Sequence, residues 1–173
     1  MLKKAMQKAL NEQINAELYS SYLYLAMSAW CHTKDMPGMA SWFKVQAQEE
    51  LIHAGKFFDY INDRDGQVTL GAIDAASGEW RSPKEVFQAT VEHEEKVTAR
   101  ILKLVELATK EGDHTTWTFL QWFVNEQIEE EASARQLLGQ LRLIGDNGSG
   151  LYVLDKELAA RVFTLPPAGG AAA

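Results

Sequence analysis

Gln48-Glu49-Glu50-Leu51-Ile52-His53 is the stretch whose reading decides the fold. Taken at heptad spacing, its surroundings read Phe43, Gln46, Glu50, His53, Phe57, Tyr60, the inner face of an amphipathic helix. Glu50 and His53 therefore fall where a helix packed in a bundle puts core residues. A buried, unpaired carboxylate costs several kcal/mol, so it must be protonated, paired with a cation or bound to a metal. Glu-x-x-His sets both side chains on one helix face, about a turn apart. Alone the pattern is weak, because it also arises by chance on exposed faces.

The chain around it has 173 residues with 46% hydrophobic content, enough to bury a core of its own as one domain. A formal net charge of -7 and the lack of a dense Lys/Arg block argue against nucleic acid and anionic membrane as partners. The single cysteine, Cys31, excludes an intrachain disulfide framework and a Cys-x-x-Cys metal ribbon, consistent with a reducing cytoplasm. No run approaches the roughly 18 apolar residues of a membrane span. The expected protein is soluble and cytoplasmic.

Working outward, Leu10, Ile14, Glu17, Ser21, Tyr24 and Ser28 give a first helix from about Lys4 to His32, with Glu17 in its inner stripe. Pro37 is placed as a first-turn proline for the second helix, which runs to about Arg64. Asp65 to Arg81 lacks a helical period and reads as an irregular crossover with a short strand at Gln67 to Leu70. Ser82-Pro83-Lys84-Glu85 offers an N-cap, a first-turn proline and a capping-box glutamate, so a third helix starts there and ends near Gly112. Asp113 or a neighbour caps a fourth, whose stripe is Thr116, Phe119, Phe123, Gln127, Glu130, Ala134, Leu137, Leu141. Gly145 to Gly150 is a flexible break before a short helix from about Leu151 to Val162, and residues 163–173 read as a flexible tail. The crossover can reach roughly 56 Å when extended, more than the roughly 42 Å of a 28-residue helix. The second and third helices are therefore expected to be parallel, in an all-α, one-crossover four-helix bundle of residues 1–162.

Glu17 and Glu50 are separated by 33 residues, as are Glu94 and Gln127. A shift of 77 carries Glu17 onto Glu94, Glu49 onto Glu126, Glu50 onto Gln127 and His53 onto Glu130. The two hairpins thus repeat one polar core, and within each the paired positions match in height to about one turn, roughly 5 Å. Glu17, Glu50, Glu94 and Glu130 can converge with His53 at mid-bundle, where two divalent cations would neutralise four carboxylates. Glu-x-x-His is also the spacing of carboxylate-bridged di-metal bundles.

This set, Glu17, Glu50-Leu51-Ile52-His53, Glu94 and Glu126-Gln127-Ile128-Glu129-Glu130, resembles the ferritin family, specifically its haem-free bacterial and archaeal type, over essentially the whole chain. The resemblance implies a ferritin-like four-helix bundle with a short fifth helix, assembled into a hollow shell of twenty-four subunits with that helix at the fourfold axes. It implies two irons per subunit, one on Glu17, Glu50 and His53, the second on Glu94 and Glu130 with Glu50 bridging. It further implies a third iron on Glu49, Glu126 and Glu129 with Glu130 shared, Gln127 near the dioxygen side and Tyr24 as the site tyrosine. The implied activity is that of a ferroxidase: Fe(II) is oxidised by dioxygen, and ferric oxyhydroxide is deposited inside the shell for storage and detoxification. Ile52 stands where a bacterioferritin carries its haem-ligating methionine, so haem is not expected. One cysteine cannot form the additional iron domain of a rubrerythrin.

Plainer readings exist for each group. A buried salt-bridge network is disfavoured for the core carboxylates because no Lys or Arg shares their stripes. Glu49, Glu126 and Glu129 could be a solvated acidic face, Tyr24 a hydrogen-bonding core tyrosine, and Trp122 packing. His32, His93 and His114 lack partners at ligand spacing. A di-iron oxidase acting on an organic substrate, or a purely structural bundle, are the competing classes; particle size discriminates the first and metal content the second.

Overall fold

A computed structural model describes residues 2–164. Its elements are α1 (Lys4–His32), α2 (Pro37–Asp63), α3 (Pro83–Glu111), α4 (His114–Ile144) and α5 (Gly148–Leu158). The expected tail lies, from residue 165 on, outside the described residues. The first three helices end by one device. Asp35, Asp65 and Gly112 adopt left-handed φ values of 56°, 55° and 67°. The next N–H then returns to the carbonyl five residues back: Met36 to Cys31, Gly66 to Ile61, Asp113 to Ala108. This satisfies the last turn and turns the chain sharply. At the starts, Ser82 Oγ accepts from Glu85 N and Asp113 Oδ1 from Thr116 N. Glu85 does not close the expected reciprocal box; its carboxylate accepts instead from Arg81 N, one residue before the cap.

The contacts fix the helix directions. Ser21 and Ser28 on α1 donate to the carbonyls of Ala47 and Ala40 on α2, so those helices are antiparallel. Arg100 reaches Gln13, Ser20 meets His93 and Thr90 meets Met27, so α1 and α3 are antiparallel too. It follows that α2 and α3 are parallel, as the crossover length allows. No strand forms at Gln67 to Leu70, contrary to expectation. The crossover backbone is satisfied by amide side chains along α1: Gln7 accepts from Gln67 N, Asn11 donates to Gln67 O and accepts from Thr69 N, and Asn15 donates to Ala72 O. A backbone paired this way has no need of a neighbouring strand.

Two apolar clusters fill the bundle. One contains Tyr24, Met27, Phe43, Phe87, Leu138 and Leu154, the other Leu10, Ile14, Phe57, Ile61, Ile101 and Phe123. Between them lies a buried polar belt that includes Gln13, Glu17, Ser20, Gln46, Glu50, His53, Glu94, Gln127 and Glu130. No Lys or Arg is among the buried residues described.

The fifth helix begins three residues before the expected start, because Asn147 caps it by accepting from Gly150 N, and it ends at Leu158. It is part of the core: Leu154 and Leu158 are buried, and Asp155 Oδ1 accepts from Met39 N in the first turn of α2 at 2.8 Å. Gly38 permits this seat, since a Cβ there would lie 1.6 Å from the Asp155 carbonyl oxygen. Asp155→Ala should therefore cost about 1–2 kcal/mol through the orphaned Met39 N–H. Gly38→Ala should cost more, by pushing α5 off its seat. Urea unfolding midpoints at fixed subunit concentration test this order; equal midpoints for wild type and both variants would show that α5 is not anchored here.

Candidate metal centre

Each inner stripe delivers its polar residue to the belt. Glu17 on α1, Glu50 on α2 and Glu94 on α3 are each 1% exposed, and His53, Gln127 and Glu130 are also buried. One ligand atom each from Glu17, Glu50 and His53 lie within 4.8 Å of one another. His53 Nδ1 is 3.3 Å from Glu50 Oε2, while Nε2 on the other side of the ring lies 3.9 Å from Glu126 Oε1. That arrangement leaves Nδ1 facing the cluster and gives the ring an acidic neighbour that orients it. Trp122 packs edge-on against the same imidazole. Gln13 Nε2 donates to Glu17 Oε1 at 2.9 Å, and Glu17 Oε2 is left buried with no partner.

Across the belt the other carboxylates are held by neutral donors. Tyr24 donates its hydroxyl hydrogen to Glu94 Oε1, and Gln127 Nε2 donates to Glu94 Oε2 at 3.1 Å. Gln46 Nε2 donates to Glu130 Oε2 at 2.8 Å. The structure thus draws Glu17, Glu50 and His53 into one compact triad, and sets Glu94 and Glu130 opposite it in their own hydrogen bonds.

The electrostatics follow from burying like charges together. Desolvation, then Glu94, Glu17 and Glu130, push the Glu50 carboxyl well above its ordinary range. Desolvation and Glu130 raise Glu94 to about 7 against the opposing donors Tyr24 and Gln127. Burial likewise raises Glu130, and it raises the Tyr24 phenol well above its ordinary value, helped by the charge on Glu94. An oxygen-rich donor set with one imidazole, an unpartnered carboxylate oxygen and no neighbouring base suits hard or borderline divalent cations.

The outer glutamates are placed differently. Glu49 is half-buried and paired with Arg161 at 2.6 Å, Glu126 is half-buried beside His53, and Glu129 is exposed. His93, pushed down to about 4 by burial, bonds Ser20 outside the triad, and His32 and His114 are exposed. Gln13 and Arg161 were not singled out in the sequence. Gln13 had a signal, lying four residues before Glu17 on the same face; Arg161 follows α5, where no periodicity points to it.

The chain matches the Ferritin-like domain family over residues 7–144. It is 42% identical to a bacterial non-heme ferritin of Escherichia coli O157:H7 over 159 residues, covering 92% of this chain and 96% of that protein. A bacterial non-heme ferritin of Staphylococcus saprophyticus is 43% identical over 163 residues, covering 94% and 98%. Among solved structures, an open-pore ferritin from the hyperthermophilic archaeon Archaeoglobus fulgidus superposes with a TM-score of 0.93 at 48% identity, covering 94% of this chain and all of that one. An engineered closed form of the Archaeoglobus fulgidus ferritin superposes at 0.94 with 49% identity, covering 95% and 100%. With a helical bundle whose buried carboxylates meet at mid-height, and with these relatives spanning nearly its whole length, the chain belongs to the ferritin family.

Proposed function

We propose that the protein is a cytoplasmic iron-storage subunit that oxidises Fe(II) with dioxygen inside its own bundle and releases ferric oxyhydroxide into a shell of twenty-four copies. The observation that carries this is the buried Glu17, Glu50 and His53 triad with its unpartnered carboxylate oxygen. Fe(II) is the substrate. One ion takes Glu17, Glu50 and His53, and a second takes Glu94 and Glu130 with Glu50 between them. Anionic oxygen donors stabilise Fe(III) over Fe(II), so two Fe(II) held together can pass two electrons to dioxygen. Gln127 holds one oxygen of Glu94 and Tyr24 the other. Glu49, Glu126 and Glu129, with Glu130 shared, form an outer third iron site. Support for an enzyme acting on organic molecules is weaker: the cleft of about 550 Å³ between α1 and α3 is lined by Tyr19, Ser20 and His93, not by the triad.

Glu50→Ala removes the bridge and should lower the initial oxidation rate by at least about a hundredfold, while the bundle stays folded. Stopped-flow mixing of metal-free protein with Fe(II) in air measures this, and a parental rate would refute the assignment.

The raised carboxyls also set a pH dependence. Glu94 ordinarily titrates at 4.5 and is raised to about 7 in the fold, with Glu50 displaced the same way. Below pH 4.5 both states are protonated and the belt costs little. As pH rises, the unfolded chain gives up protons that the folded one retains, so metal-free stability falls through about pH 7. Saturating Zn(II) should reverse the slope, since it binds the deprotonated ligands. Thermal midpoints from pH 5 to 8 test both signs, and a flat metal-free profile would contradict the burial of charge described here.

Changing Glu49 and Glu126 together to Gln leaves Glu17, Glu50, His53 and Glu94 in place. The pair should still oxidise, but without a third electron donor, so consumption should move toward about two Fe(II) per O2 with more peroxide released. Oxygen-electrode titrations at two and three Fe(II) per subunit decide it; unchanged stoichiometry would reduce these residues to a solvated acidic face.

A further inference from the structure

After α5 the chain returns to α2 beside Glu49. Arg161 Nη2 lies 2.6 Å from Glu49 Oε2, and the guanidinium sits over the Trp42 ring, 4.7 Å from its centroid. Its Nη1 is buried with no hydrogen-bond partner. The neighbouring groups are acidic apart from Lys56, which faces Glu126 from α2 while stacked on Trp122, and His53. A cation of the protein's own therefore occupies the edge of the acidic cluster. Beyond α5 the N–H groups of Ala159, Ala160 and Arg161 still bond α5 carbonyls, Val162 is 78% exposed and Phe163 is half-buried, and Arg161 is the one charged side chain of residues 159–164, tied to Glu49 of α2.

We infer that Arg161 is a displaceable internal cation: a metal ion binding at Glu49 takes the place of its guanidinium and frees residues 159–164 from α2. The inference rests on the outer-site reading above. A metal ion on Glu49 would repel the guanidinium across one carboxylate, and with Nη1 unpartnered the guanidinium gives up a single hydrogen bond and its place over Trp42 in leaving. Arg161 thus sets how strongly the outer site competes for metal, leaving the inner pair untouched, and it makes occupancy of that site readable at the protein's C-terminal side.

The test uses the full-length protein in its native assembly, with Zn(II) as probe, in wild type, Arg161→Gln and Arg161→Lys. Lys156→Gln, which removes an exposed charge of α5 lying over Tyr152, controls for the loss of one positive charge. By calorimetry the two tightest Zn(II) per subunit should be alike in all four proteins, and the third should tighten about tenfold in Arg161→Gln but not in Lys156→Gln. By amide exchange, residues 159–164 of the wild type should open between two and three Zn(II), and should already be open in Arg161→Gln without metal. A third Zn(II) of equal affinity in wild type and Arg161→Gln overturns the inference, as does tightening with no opening of the segment. Two tight Zn(II) and no third in any variant removes the outer site itself, a separate failure that leaves the inner pair standing.

Discussion

The structure depends on one electrostatic constraint: four carboxylates share a buried belt with no lysine or arginine among the buried residues described. In such surroundings like charges repel strongly and cannot all ionise without a counter-ion. Burial and mutual repulsion displace Glu50 and Glu94 upward, so the metal-free fold tolerates the belt by keeping protons there. A core built for stability alone would place leucines there and join its two apolar clusters into one. The interruption keeps anionic acceptors inside the bundle, where a bound cation would exchange the retained protons for a stronger partner.

The helices satisfy a demand of alignment. A belt works only if four residues distant in sequence arrive at one height, and helix ends set that height. Three left-handed residues, Asp35, Asp65 and Gly112, stop α1, α2 and α3 sharply. The crossover carries the chain the length of the bundle along the Gln7, Asn11 and Asn15 ladder, so that α3 restarts beside α1 in the opposite sense. Asp155 then fastens α5 to the first turn of α2. None of these residues touches the triad, yet each governs where an inner stripe begins.

Much of this was legible in the sequence because periodicity reports burial. Glu17, Glu50, His53, Glu94, Gln127 and Glu130 stood out as polar residues at apolar positions, and all are buried at one level. Prolines and caps marked the starts of α2 and α3 to the residue. What escaped were contacts without a period. Nothing local shows that Gln7, Asn11 and Asn15 meet the crossover, so the sequence reading places a strand at Gln67 to Leu70 where side chains do the pairing. Asp155 and Arg161 act across separations of 116 and 112 residues, which no local pattern encodes. The onset of α5 was misplaced because its glycines read as a break, whereas Asn147 supplies a cap strong enough to start a helix through them.

The internal repeat is also instructive where it breaks. The shift that superposes Glu17 on Glu94 sets Glu50 against Gln127, and the difference between acid and amide divides the belt into unequal halves. On the α3–α4 side the amide of Gln127 donates to Glu94, which also receives the Tyr24 hydroxyl, so this carboxylate has both oxygens occupied. On the α1–α2 side Glu50 can donate to Glu17 only by keeping a proton, and Glu17 Oε2 has no partner. An imidazole faces that side, where the repeat puts Glu130 on the other. Unmet acceptor capacity and a nitrogen donor are thus concentrated in one half of a near-symmetric core. The two halves are chemically distinct, because Gln127 and Tyr24 together occupy both oxygens of Glu94, whereas Gln13 occupies one oxygen of Glu17 and leaves the other without a partner.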